Sequence, residues 1–131
     1  MSYIVAFECP DATVETKARR FSLKAGLYVY VGSCGNSCAK RVARHVKRPV
    51  GRRHWHVDYL PCRAVVALIT RLAETQLASR LLLAGVGYVK GFGSSDDKRA
   101  PSHLFAASSL LELLDAISAP VHDQLGEADF G

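Results

Sequence analysis

Residues 27–33 read Leu27-Tyr28-Val29-Tyr30-Val31-Gly32-Ser33, alternating aliphatic and aromatic side chains up to a glycine. Alternation at period two is the mark of a strand. It places Leu27, Val29 and Val31 on one face and Tyr28 and Tyr30 on the other. The aliphatic face is expected to meet the core, and the phenol face to point elsewhere. Two arginines, Arg41 and Arg44, follow shortly after the glycine.

Around this strand the chain is basic. From residue 16 to residue 57 there is no Asp or Glu, and 11 of the 17 Lys and Arg residues lie there. The chain carries a net charge of +5. Such a one-sided field attracts polyanions, and nucleic acid is the leading candidate. A solvated basic face or an acidic protein partner would give the same pattern. A length of 131 residues suits one domain with a real core. No apolar run approaches the roughly 18 residues a membrane helix needs, so no membrane partner is expected. The opening MSYIVAFECP lacks the basic flank of a signal peptide, which makes the cytoplasm the expected compartment. Cys9, Cys34, Cys38 and Cys62 are too scattered to suggest a disulfide framework and read as reduced, partly buried thiols. Cys34-x-x-x-Cys38 has the spacing to open a zinc site, but no matching second pair follows.

Strands are expected at residues 3–8, 18–23 and 27–31. Asn36 or Ser37 caps a helix running to about Lys47, with Ala39, Val42, Ala43 and Val46 as its apolar stripe. Arg41, Arg44, His45 and Arg48 share another side of that helix. Residues 52–56 lead into a short strand ending at Leu60, whose period-two spacing would align His54, His56 and Asp58 on one face. A buried strand at 63–70, a helix at 72–83, a polar loop at 91–97, a strand at 102–106 and a helix ending at Ile117 complete the order. The fold class is α/β (α+β): one domain over residues 1–119, with a mixed, mainly antiparallel three-stranded central sheet flanked by helices. Residues 120–131 form a loose acidic tail.

Three groups carry possible chemistry. One is the tyrosine face with the arginine helix after it. Another is Glu74, a carboxylate at the end of a core-facing helical stripe; first-turn glutamates are also favoured by the helix dipole alone. The last is His54/His56/Asp58, which suits a transition metal, hydrogen bonding to phosphates, or plain structure around Trp55. Phosphodiester cleavage needs a base for water, charge on the phosphoryl oxygens and a neutralised leaving group. A single glutamate can anchor Mg²⁺, which keeps several waters. An arginine grips phosphate in bidentate fashion. A tyrosine relays or accepts a proton if nearby cations depress its pKa.

The ordered set Tyr30-Val31-Gly32-Ser33, Arg41-x-x-x-His45, His54-Trp55-His56-x-Asp58-Tyr59, Glu74, Gly91-Phe92-Gly93-Ser94-Ser95-Asp96 and Ser102-His103-Leu104-Phe105 resembles the GIY-YIG nuclease superfamily. Within it, the set looks like a small subfamily found alone or fused to endonuclease III-type glycosylases. The resemblance covers roughly residues 2 to 106. It implies a metal-dependent endonuclease hydrolysing DNA phosphodiester bonds with one Mg²⁺ or Mn²⁺; RNA is a possible substrate too. Tyr30 matches the second motif's tyrosine, and Tyr3 would match the first, although that motif's glycine is absent and the interval between the two tyrosines is long. An inserted strand at 18–23 would account for the interval. Arg41 matches the phosphate-gripping arginine and Glu74 the metal-binding glutamate, with His45 and His103 as candidate proton donors. Lys40, Arg44, Lys47, Arg48, Arg52, Arg53, His54 and His56 would contact the nucleic-acid backbone, and Trp55 would stack on a base. Gly32, Ser33, Asp58, Ser94, Ser95, Asp96 and His103 would line the site. The subfamily carries cysteines where Asp97-Lys98-Arg99 stands here, so no thiol-dependent site is expected in that loop. The alternative functions are a non-catalytic nucleic-acid-binding module and a His/Asp metal-dependent phosphodiesterase of small molecules.

Overall fold

The structure, a computed structural model, describes residues 1–16, 19–47, 56–92 and 102–118. Two long strands form its centre. β1 (Ser2–Cys9) and β4 (Gly26–Ser33) pair antiparallel over their full length, so Tyr3 lies opposite Gly32 and Val5 opposite Tyr30. Between them in sequence lies a hairpin of its own, β2 (Ala12–Glu15) and β3 (Arg20–Leu23), which forms a separate two-stranded sheet. The long interval between Tyr3 and Tyr30 therefore holds a hairpin rather than one added strand.

The remaining elements are α1 (Cys38–Val46), a 3₁₀ turn (His56–Tyr59), β5 (Arg63–Thr70), α2 (Glu74–Leu83), β6 (Gly87–Tyr88), β7 (Leu104–Ala107) and α3 (Leu110–Ile117). The main sheet has five strands in the order β5-β1-β4-β7-β6, and every pairing in it is antiparallel. It is larger than the expected three strands, because β5 adds to one side of the central pair and β7 with β6 to the other. β5 keeps the expected bounds but is an edge strand, with Val65 and Ile69 exposed rather than buried.

The sheet is covered on both faces. Ile4, Ala6, Val29, Val31 and Phe105 pack against Leu77, Ala78 and Leu81 of α2 and Leu113 and Ala116 of α3. On the opposite face Tyr3, Val5, Phe7, Tyr28, Tyr30 and Leu104 pack with Val14, Phe21 and Leu23 of the hairpin, Val57 of the 3₁₀ turn, and Phe92. The expectation that the phenol face looks away from the core is thus corrected. A central strand in a covered sheet is buried on both faces, and period-two alternation does not tell one buried face from the other.

α1 departs from its expected orientation. Ser37 caps it, accepting from the Lys40 N–H at 3.2 Å. Yet Ala39, Ala43 and Val46 are exposed, and the inward face is Cys38, Arg41, Val42 and His45. These four stand at i, i+3, i+4 and i+7, a complete helical stripe. A disulfide between Cys34, buried beside the end of β4, and Cys38 sets this rotation by turning the helix's first residue inward. The strand expected before Leu60 is likewise a 3₁₀ turn where it is described, so period-two spacing does not apply from His56 to Asp58.

A second disulfide joins Cys9 at the end of β1 to Cys62 just before β5. Both pairs replace the expected reduced thiols, and Cys34-x-x-x-Cys38 is a cross-link rather than the start of a zinc site. Among the described residues, no helix is long and apolar enough to cross a membrane. The Cys9–Cys62 bridge spans 53 residues, so it restricts a long stretch of the unfolded chain. Replacing both cysteines by alanine is expected to cost about 2–4 kcal/mol. Urea denaturation of the oxidised protein and the double variant checks this, and coincident midpoints would refute it.

Candidate functional site

The register of β1 on β4 builds the site's floor. Tyr3 and Gly32 are cross-strand partners, so the Tyr3 ring lies over the glycine. A Cβ at Gly32 would sit 2.3 Å from Tyr3 Cζ and Oη. The Tyr3 and Tyr30 ring centroids are 6.4 Å apart. The two tyrosines thus stand side by side on adjacent strands. Tyr28 shares their face, but its hydroxyl donates to the Lys24 carbonyl oxygen at 2.7 Å and is occupied in the turn before β4.

α1 supplies the next groups. His45 Nε2 and Tyr3 Oη are hydrogen-bonded at 2.6 Å, with both residues buried. The His45 ring stands edge-on to Tyr30 at 5.7 Å. One turn earlier, Arg41 Nη1 donates to the Ser33 carbonyl oxygen at 2.9 Å. Its guanidinium rests against Gly35, whose φ of +56° and lack of a side chain make room for it. Arg44 turns toward Asp58 of the 3₁₀ turn, Nη2 to Oδ2 at 2.7 Å. The other Asp58 oxygen lies 3.8 Å from His45 Nδ1. Arg44 was expected on the nucleic-acid backbone; it is engaged with a buried carboxylate. Lys40 and Lys47 are exposed.

Glu74 is the first residue of α2, in the helix's favourable electrostatic position for a carboxylate. The Gln76 side chain accepts from the Ala73 N–H at 2.8 Å and steadies this turn. The Glu74 side chain is 33% exposed, and its Oε2 lies 3.7 Å from Nδ1 of the nearly buried His103. Ser2 ties this end of α2 to the tyrosine strand: its hydroxyl donates to the Leu72 carbonyl oxygen at 2.6 Å. Nothing in the sequence marks Ser2 beyond its position beside Tyr3. Ser102, which the motif Ser102-His103-Leu104-Phe105 contains without a role assigned to it, is wholly buried, and its hydroxyl bonds to the backbone at both ends of Leu104. Arg48, Arg52, Arg53, His54, Trp55, Ser94, Ser95 and Asp96 lie outside the described residues, as does the His56 side chain.

Electrostatics change the expected role of the phenols. Burial raises the Tyr3 pKa above the usual phenol value, and the Tyr30 phenol adds to that. Burial also raises that of Tyr30, with Glu74 and Asp58 as further causes. Arg41 pulls both down but is outweighed. The expectation of a cation-depressed phenol is therefore corrected: desolvation wins over one guanidinium. Both phenols hold their protons more tightly than a free tyrosine, and a proton leaves Tyr3 only if another group takes it. His45 is placed to do so.

Among the described residues, no three His, Cys, Asp or Glu side chains converge as a ligand set. A partly exposed single carboxylate at Glu74 fits a hard divalent ion that keeps most of its waters. It does not fit a transition-metal cage.

Two outcomes follow from this geometry. Gly32→Ala forces the Tyr3 ring off its seat and is expected to lower stability by about 1–3 kcal/mol, measured by urea denaturation. An unchanged midpoint would count against the tight seat. The second concerns alkaline pH. The unfolded phenols titrate near 10.0, and the native ones above that. Below pH 10 both states hold the protons, and stability does not depend on them. Above it the unfolded state loses protons that the native state keeps, so stability falls as pH rises, by up to about 1.4 kcal/mol per pH unit per phenol. Tyr3→Phe and Tyr30→Phe should each flatten that fall in urea titrations between pH 9 and 11; slopes equal to wild type would contradict it.

No curated protein and no solved structure matches the chain. Residues 2–125 match the family model described as domain of unknown function DUF123. That match spans nearly the whole chain, and the chain belongs to the DUF123 family.

Proposed function

We propose that the protein is a divalent-metal-dependent endonuclease that hydrolyses DNA phosphodiester bonds at this site. One observation carries the reading. Tyr3 and Tyr30 lie side by side on adjacent strands, a helix lays His45 on the Tyr3 hydroxyl, and Arg41 and Glu74 are close enough to move the charge balance of both phenols. These residues match in order the motifs of the GIY-YIG resemblance.

Each group then has a task. Tyr3 accepts a proton from the attacking water as its own proton passes to His45 Nε2, which answers the raised phenol pKa without forming a free phenolate. Arg41, steadied by the Ser33 carbonyl oxygen, holds the phosphoryl oxygens. Glu74 would hold one Mg²⁺ or Mn²⁺, which supplies neutralisation of the leaving oxygen. His103 Nδ1 lies 3.7 Å from that carboxylate. The exposed Lys40 and Lys47 hold the flanking backbone.

A second reading has an observation of its own. Tyr3, Tyr30 and His45 are 3%, 8% and 0% exposed, the burial expected of a satisfied structural hydrogen bond. On that reading the domain binds nucleic acid without cutting it. The His/Asp phosphodiesterase has less support, because Asp58 is committed to Arg44.

A panel of end-labelled single-stranded, branched and duplex DNA and RNA, with Mg²⁺ or Mn²⁺, decides between them. Glu74→Ala is expected to abolish cleavage with binding kept within a few-fold. Arg41→Ala should lower cleavage by roughly 10²–10³-fold. A fully active Glu74→Ala protein would sink the assignment. Wild-type protein that shifts DNA at low salt but never nicks it would establish the binding module instead.

A further inference from the structure

We propose that Asp58, anchored by Arg44, is a positioning residue that keeps the His45 proton on Nδ1 and so turns the Nε2 lone pair onto the Tyr3 hydroxyl. A neutral imidazole offers one donor and one acceptor. The 2.6 Å contact between His45 Nε2 and Tyr3 Oη is compatible with either direction of donation. The second nitrogen decides. His45 Nδ1 faces Asp58 Oδ1 at 3.8 Å, with both side chains wholly buried. That separation exceeds a hydrogen bond, so Asp58 acts on the ring as a nearby charge, strong in a medium of low polarity. A negative charge beside Nδ1 favours the proton there.

Arg44 makes the arrangement rigid. Its Nη2 donates to Asp58 Oδ2 at 2.7 Å, a charge-assisted bond that fixes the carboxylate and directs its other oxygen at the imidazole. Arg44 and His45 are consecutive on α1, and the 3₁₀ turn brings Asp58 against both. A buried carboxylate is costly, and an apolar side chain would fill the same space more cheaply. Orientation of His45 is a function that an apolar residue cannot perform.

The consequence for catalysis rests on the nuclease reading. In that step the water O–H bond breaks and its proton reaches Tyr3 Oη. The Tyr3 proton moves to His45 Nε2, the water oxygen bonds to phosphorus, and the leaving oxygen departs with the bond pair. His45 becomes an imidazolium, stabilised by Asp58. The opposite tautomer has no lone pair facing Tyr3, and the relay stops.

The tautomer can be read without substrate or metal. In ¹⁵N-labelled full-length protein, long-range ¹H–¹⁵N spectra distinguish the protonated from the bare imidazole nitrogen; loss of signals in His45→Gln assigns the ring. Wild type is expected to show a protonated Nδ1 and a bare Nε2. Asp58→Asn should exchange the two signals or bring them together, and Arg44→Gln should move them the same way by less. Cleavage by Asp58→Asn should fall roughly 10²–10⁴-fold with KM within a few-fold, while Glu74→Ala should lose cleavage and keep the wild-type tautomer. A wild-type proton on Nε2, or unchanged signals in Asp58→Asn, overturns the proposal. If Asp58→Asn does not fold, unchanged signals in Arg44→Gln overturn it equally. If no form of the protein cleaves nucleic acid, the nuclease reading fails while the spectra still decide the tautomer.

Discussion

The hydrogen bond between Tyr3 and His45 joins a phenol on the sheet to an imidazole on a helix, with both side chains buried. Neither group tolerates burial without a partner. Each therefore dictates the other's position, and much of the structure is arranged around meeting that demand. α1 must turn its polar side inward and leave Ala39, Ala43 and Val46 to solvent. Gly32 must lack a side chain so that the Tyr3 ring reaches across β4. The Cys34–Cys38 bridge holds the helix start at the required rotation.

The two faces of the main sheet divide the work. One is conventional: aliphatic side chains of β1 and β4 against α2 and α3, with Phe105 filling the middle. The other carries aromatic and ionisable groups under several small covers. Phe21 of the hairpin packs on Phe92 at 4.9 Å, and Phe92 meets Tyr30 edge-on at 6.5 Å. The hairpin inserted between the two tyrosine strands thereby dries the phenol face. That drying raises the phenol pKa values and makes a proton acceptor such as His45 necessary for any proton transfer from Tyr3.

Much of the site was legible in the chain. Tyr3, Tyr30, Arg41, His45 and Glu74 could be named as candidates from the family resemblance; Tyr3, Tyr30 and His45 touch one another, and Arg41 bonds to Ser33 at the end of β4. Glu74 joins them through its charge and through His103. Less legible was the pairing of basic residues. Arg44 looks like any other member of the basic helix face, and only the position of the 3₁₀ turn shows that it serves Asp58 rather than solvent. Asp58 was grouped with His54 and His56 by strand periodicity, a basis that does not hold from His56 to Asp58, where the backbone is a 3₁₀ turn. Ser2 had no signal, since a hydroxyl that bonds to a distant carbonyl oxygen looks like any surface serine until the backbone is placed.

By itself the sequence determined the three helices and the long strands β1, β4 and β5, because period-two and period-3.6 patterns report local geometry, and a cap such as Ser37 is local as well; it did not mark the short strands β2 and β6 or the 3₁₀ turn. It determined the α+β class and the identity of the chemical groups. Tertiary structure decided which faces are buried, how many strands join the sheet, which cysteines pair, and which arginine meets which carboxylate. Those are long-range matters. The apolar stripe of α1 was the better hydrophobic choice taken alone, yet the helix buries the other side. The combined demands of a buried phenol, a buried carboxylate and a nearby disulfide outweigh the few small side chains left exposed.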